Sequence, residues 1–239
     1  VVTLEAQGKS GSSIIAWPIE VGPLLEETLA EQYQSVVATS ATLSVAGKLD
    51  RASASLGIPG ATPLILPSPF DHERQAALYI PREFPEPREG LFAARCREEI
   101  LKLLEITEGR ALLLFASYRA LESAVASVRG QVDWPVLVQG EAPRERLVER
   151  FRQETHSVLM GTASFRQGID VPGGAVSLVV VDKLPFAVPD DPVVAARARA
   201  IQERGGNPFM EDQLPEAILA LKQAFGRLIR ARTDRGLLA

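Results

Sequence analysis

Residues 111–128 read Ala-Leu-Leu-Leu-Phe-Ala-Ser-Tyr-Arg-Ala-Leu-Glu-Ser-Ala-Val-Ala-Ser-Val, and two structural periods meet inside them. Ala111–Phe115 is an unbroken apolar run. A strand with one wet face alternates apolar and polar residues, so a run without alternation predicts a strand covered on both faces. Leu121–Val128 then continues as a helix. Upstream, Leu91, Phe92, Cys96, Ile100, Leu103 and Leu104 recur at helical spacing. That stripe gives Cys96 a packing role rather than that of a reactive thiol. Downstream, strands expected at Pro135–Val138, Val158–Met160 and Ser177–Val181 alternate with helices at Pro143–Gln153, Asp191–Arg204 and Leu214–Arg232. The first of these helices starts on a proline and turns Leu147, Val148 and Phe151 inward. The alternation predicts an α/β fold: a doubly wound, mainly parallel sheet flanked by helices.

Nearer the N-terminus the elements are shorter. Strands are expected at Ser13–Ile19 and Ser35–Thr39, and helices at Pro23–Gln32 and Leu49–Leu56, the latter stopping at Gly57. Pro63–Leu66 and Ala76–Ile80 read as extended, and the three prolines of Pro81–Pro87 as a linker or surface loop. Gln7-Gly8-Lys9-Ser10 imitates the end of a phosphate-binding loop. The full pattern needs a glycine where Thr3 stands and a helix afterwards, whereas Ser12–Trp17 looks extended. A hairpin turn fits better, so the chain is expected to carry no nucleotide-binding loop of its own.

The 239 residues can bury a sizeable core. No apolar window is long enough to span a membrane and no secretory signal is visible, so a cytoplasmic location is expected. Val1 stands where an initiator Met would, which suggests a longer parent chain. Cys96 is the single cysteine, and no His or Cys cluster offers a metal site. A net charge of −4 excludes nucleic-acid binding by bulk charge but leaves room for a narrow basic track, and the basic residues are mostly arginine.

Four stretches carry chemistry. On the last helix Leu214, Ile218, Leu221, Phe225 and Leu228 share one face. Gln223, Arg227 and Arg230 then lie within about 60° of one another on the opposite edge. A glutamine and two forked cations on one edge suit nucleotide phosphates, and Gly226 permits close backbone approach. Gly161–Gly174 follows a strand; its hydroxyls and backbone N–H groups suit phosphate oxygens, and Gly168 opens access to Asp170. Phe115-Ala116-Ser117-Tyr118 lies just past another strand end. Thr39-Ser40-Ala41-Thr42-Leu43 places hydroxyls after a buried strand, where Ser40 or Thr42 equally suits a helix cap.

In this order the four stretches resemble motifs III, IV, V and VI of superfamily 2 helicases: Thr39–Thr42, Phe115–Tyr118, Gly161–Asp170 and Gln223-Ala224-Phe225-Gly226-Arg227-Leu228-Ile229-Arg230. Ser68-Pro69-Phe70-Asp71, Leu78-Tyr79-Ile80-Pro81, Lys183-Leu184-Pro185-Phe186, Asp191-Pro192 and Gly205-Gly206-Asn207-Pro208-Phe209 resemble the DinG branch of the XPD/DinG family. The resemblance implies a RecA-like fold and, for the parent protein, a DNA-stimulated ATPase moving 5′→3′ on single-stranded DNA. It divides the chain into residues 1–43, the tail of a first motor domain, and residues 44–239, the second motor domain. Arg227 and Arg230 would be arginine fingers to ATP, Gln223 would position nucleotide or water, and Gly168 and Asp170 would lie on the nucleotide side. Ser117, Tyr118, Thr162, Ser164 and Arg166 would hold the DNA backbone. ATP and Mg²⁺ would be bound mainly by the first motor domain of the same polypeptide. Any iron–sulfur cluster would lie upstream, and this segment alone would not turn over ATP. The alternative is a non-catalytic or degenerate helicase-like module in a nuclease or binding protein. Two departures bear on it: Arg166-Gln167 replace the family's aromatic or small residue and glutamate, and Ala224 replaces a common glycine.

Overall fold

The computed structural model describes residues 1–7, 11–162, 165, 176–188 and 190–239. In chain order its elements are β1 (Val2–Gln7), β2 (Gly11–Ala16), α1 (Gly22–Gln32), α2 (Asp50–Ser55), α3 (His72–Gln75), β3 (Ala76–Leu78), α4 (Phe92–Thr107) and β4 (Ala111–Phe115). There follow α5 (Tyr118–Val128), β5 (Val136–Val138), α6 (Arg144–Gln153), β6 (Val158–Thr162), β7 (Leu178–Val181), α7 (Pro192–Glu203), a π-helical turn (Phe209–Gln213), α8 (Leu214–Phe225) and β8 (Gly236–Leu238). They form two compact units: residues 1–67 with 186–220, and residues 68–185 with 221–239.

The second unit holds a six-stranded sheet in the order β3-β8-β7-β4-β6-β5, and every pair in it is parallel. β4 lies between β7 and β6, and all five of its residues are buried. Its alternating side chains feed two cores. Leu112 and Leu114 join Leu159 and Val179 beneath Leu147, Val148 and Phe151 of α6, together with Ala224, Leu228 and Ile229. Leu113 and Phe115 join Val158, Met160, Leu178 and Val180 beneath Ile100, Leu103 and Leu104 of α4 and Leu121 and Val128 of α5. Helices therefore cover both faces, which is the doubly wound α/β architecture expected from the apolar run. Burying each such leucine contributes about 1.5–3 kcal/mol.

The first unit contains the antiparallel hairpin β1–β2, whose register pairs Gln7 with Gly11. Gly8, Lys9 and Ser10 lie outside the described residues. The segment after them is a strand rather than a helix, as a hairpin reading requires and a phosphate loop does not. α1 and α2 pack closely around Gly57, which has φ +69°; a Cβ there would come within 2.4 Å of the Glu26 backbone nitrogen. Arg51 bonds Asp212 at 2.8 Å and Glu216 at 2.7 Å, and also the carbonyl of Glu211. Burial works against the Arg51 charge, but those carboxylates more than offset it and hold the guanidinium above its ordinary range.

Two expectations need correction. Ser35–Thr39, expected as a buried strand, is exposed and forms no strand; Val37 is 89% exposed, and no neighbouring edge pairs with it among the described residues. A short apolar run without a partner edge has nothing to hold it in a sheet. Pro63–Leu66 lies outside the strands, with Leu64 and Leu66 exposed. The last helix stops at Phe225 instead of continuing to Arg232. Beyond it Arg227 and Leu228 donate to the carbonyls of Ala224 and Phe225, a tightening to i→i−3 bonds. Leu228 and Ile229 then both enter the core, which a continuing helix with its 100° step would not place together so readily.

Candidate functional site

Three strand ends sit side by side at one edge of the sheet. The chain leaves β4 toward β5 and leaves β6 toward β7, so the two connections depart in opposite directions along the strand order. Ligands of open α/β sheets bind at such a reversal, outside the carboxyl ends of the strands.

Ser117 and Tyr118 follow β4 directly. Ser117 is the N-cap of α5, and its Oγ accepts from the Ala120 N–H at 3.2 Å. Tyr118 opens the helix and is 58% exposed. The positive end of the helix dipole therefore points out of the same edge. Behind this turn the Asp182 carboxylate, just past β7, accepts from the Ala116 N–H at 2.8 Å. Burial raises the Asp182 carboxyl above its ordinary range, opposed by the Ala116 N–H and the neighbouring Lys183. Cys96 is half-buried nearby; burial, and then the Asp182 charge, push its thiol up to about 11. It is a packing residue with little thiolate character at neutral pH.

Thr162 ends β6 and is buried. Its N–H and its hydroxyl both donate to Gln139 Oε1, at 2.7 and 3.1 Å, and Gln139 Nε2 donates to the Tyr118 hydroxyl at 2.8 Å. Gly161 lies against Phe165, where a Cβ would come within 2.8 Å of the ring. Ser164, Arg166, Gly168 and Asp170 lie outside the described residues. Arg144, in the first turn of α6, donates to the Phe165 carbonyl at 3.0 Å and stands over the Phe165 ring.

Gln223 is partly buried near the end of α8, while Arg227 and Arg230 lie in the tightened segment after it. The three do not share one helical edge. Burial pushes both guanidinium groups down; repulsion from Arg144 adds to this at Arg227, and repulsion from Arg152 at Arg230. Asp234 partly compensates Arg230, and its carboxylate accepts from the Arg230 and Ala231 N–H groups at 2.9 and 2.8 Å. Gln75, 4% exposed, donates to the Ala231 and Asp234 carbonyls and fixes this turn. The structure thus brings Ser117, Tyr118 and Thr162 together at adjacent strand ends.

Gln139, Asp182, Arg144, Gln75 and Asp234 were not singled out from sequence. Gln139 and Asp182 each follow a strand directly, and Asp234 lies four residues beyond Arg230; those positions were the available signals. Arg144 and Gln75 matter through contacts that only the folded chain makes.

The chain is similar to known proteins. A family model described as the helicase C-terminal domain matches residues 100–239. The ATP-dependent DNA helicase YoaA of Escherichia coli strain K12 is 40% identical over 221 residues, 92% of this chain and 35% of that protein. A Bacillus subtilis strain 168 protein named 3'-5' exonuclease DinG is 30% identical over 247 residues, 98% of this chain and 26% of that protein. A solved XPD helicase shares the fold with a TM-score of 0.54 at 19% identity, over 68% of this chain and 30% of that one. The chain spans about a third or less of the length of these curated relatives.

Proposed function

Since this chain belongs to the DinG/XPD-like family of superfamily 2 helicases, by its C-terminal helicase domain, we propose that it acts as the second motor domain of an ATP-dependent 5′→3′ DNA helicase. Residues 44–239 would form that domain, and residues 1–43 would be the tail of the first. The observation that carries the DNA half of the reading is the convergence of Ser117, Tyr118 and Thr162 at neighbouring strand ends, beside the N-terminus of α5. Hydroxyls and helix-end N–H groups hold phosphates without reading bases, so the grip on single-stranded DNA is sequence-independent and weakens as salt rises.

Arg227 and Arg230 serve the nucleotide half. Burial disfavours both charges, Arg144 adding to this at Arg227 and Arg152 at Arg230, where Asp234 partly compensates; a phosphate brought in by the other domain favours the charged forms. In the assembled motor they reach the γ-phosphate of ATP held by the first domain and stabilise its spreading charge in the transition state. Gln223, Gly168 and Asp170 complete the nucleotide edge, and Ser164 and Arg166 extend the DNA contact. Mg²⁺ enters with the nucleotide. On this reading its ligands lie mainly in the first motor domain. No helix among the described residues is long and apolar enough to cross a membrane. The reading has the motor act on DNA in the cytoplasm.

The test is ATP turnover by the full-length parent carrying Arg227→Ala or Arg230→Ala, with single-stranded DNA present. Turnover should fall by about 10³-fold or more while DNA binding persists. Turnover within a few-fold of the unsubstituted protein in both variants would overturn the finger roles. A second reading, a degenerate motor serving a nuclease, draws on Arg166-Gln167 and on the relative named as an exonuclease. It predicts that the parent protein degrades DNA with the same rate in either variant.

A further inference from the structure

β6 runs beyond its neighbour β5: the ladder ends at Val138 and Met160, and the Gln139 N–H still bonds the Met160 carbonyl. Two residues further along β6 the Gln139 side chain meets Thr162, its Oε1 accepting from the Thr162 N–H at 2.7 Å and from the Thr162 hydroxyl at 3.1 Å. This fixes the amide's orientation, because a backbone N–H can only donate and so must face the amide oxygen. The amide nitrogen is then the atom turned toward Tyr118, 2.8 Å from its hydroxyl oxygen. An N–H in that position makes the phenol oxygen an acceptor and leaves the phenol proton directed elsewhere.

We propose that Gln139 is a positioning residue for the DNA grip: its amide orients the Tyr118 hydroxyl so that the phenol proton is donated outward to a phosphate oxygen. This rests on the DNA-binding reading given above. Thr162 is the anchor of the device, its N–H and hydroxyl both directed at Gln139. Tyr118, the exposed member, is the one that meets the strand. Accepting a hydrogen bond also polarises the phenol and strengthens the bond it donates.

The substitution that separates orientation from folding is Gln139→Glu. A carboxylate still accepts both protons of Thr162 but cannot donate to Tyr118. The phenol then turns its proton onto the carboxylate, and the outward donor is lost. In the full-length protein, affinity for an oligo-dT strand should fall about tenfold in Q139E and about tenfold in Tyr118→Phe, the scale of one hydrogen bond to a charged oxygen. In the double variant the loss should stay near tenfold, because both changes remove the same proton. In the Gln139 variants the DNA concentration giving half-maximal ATP turnover should rise in parallel, while turnover at saturating DNA stays within about twofold. Gln139→Ala removes the clip without adding charge and should show the same non-additivity with Y118F.

Losses that multiply in both double variants would overturn the proposal, since charge repulsion or loosened packing would add to the loss of the phenol. Y118F weakened with Q139E and Q139A unchanged would also overturn it while leaving Tyr118 as a DNA contact. An unchanged Y118F would remove the DNA contact itself. Either Gln139 variant that melts within about 3 °C of the parent is enough to decide. Unfolding of both would assign Gln139 a purely structural role.

Discussion

Asp182 shows how one buried carboxylate is tolerated beside a functional turn. It bonds the Ala116 N–H and so holds the backbone that presents Ser117 and Tyr118. Its carboxyl is raised by burial, so folding favours the protonated form. Asp182 contributes stability that is fully present below the ordinary carboxylate range and is lost as pH rises through its raised value. The neighbouring charge that bears on it is Lys183, beside it in sequence. Asp182→Asn keeps an oxygen acceptor for Ala116 and removes the buried charge. At pH 7 it should match or exceed the parent by up to about 1 kcal/mol in urea melts, and the advantage should shrink as pH falls toward 4. An equal loss of stability at both pH values would show instead that the carboxylate charge is needed.

At the scale of elements, the strand-turn junction after β6 depends on a missing side chain. Phe165 is 5% exposed and its ring lies where a Cβ on Gly161 would go. Gly161→Ala must move either the ring or the strand end. It should cost about 1–3 kcal/mol in a denaturant melt, the range of overpacked cores. No loss would mean that Phe165 repacks freely. Long periodic elements were the legible ones. β4 matches Ala111–Phe115 residue for residue, and α4, α6 and α7 fall within a few positions of the expected bounds. The misreadings have specific causes. Ser35–Thr39 has a strand's composition, but pairing depends on an edge elsewhere and not on the segment itself. The helix expected to reach Arg232 carries apolar residues at helical spacing through Leu228. What stops it is the adjacent burial of Leu228 and Ile229 and the Asp234 turn held by Gln75, a contact between residues far apart in sequence. Within the site, Ser117, Tyr118 and Thr162 were readable as polar groups after strands. The role of Gln139 depends on β5 being shorter than β6, a property of strand pairing that the residues alone do not disclose.

For the molecule as a whole, the parallel sheet is assembled from distant pieces of chain. β8 lies between β7 and β3, and Ala76 faces Gly236, roughly 160 positions away, a separation that makes this pairing slow to form. The Tyr79 N–H reaches the Leu238 carbonyl, and the Ala239 N–H reaches that of Val179. Deleting residues 236–239 should therefore strip hydrogen-exchange protection from residues 77–79 while the amides of β4 and β6 keep theirs. Retained protection at 77–79 would mean that another segment can replace β8.

That placement bears on how the protein is made. Residues 76–78 leave the ribosome long before the strand that will lie beside them, and β7 waits with one flank open. Until translation reaches residue 236, the nascent sheet carries an unprotected edge that a neighbouring polypeptide can occupy. The stretch of synthesis between β7 and β8 is therefore the period in which this chain most needs shelter.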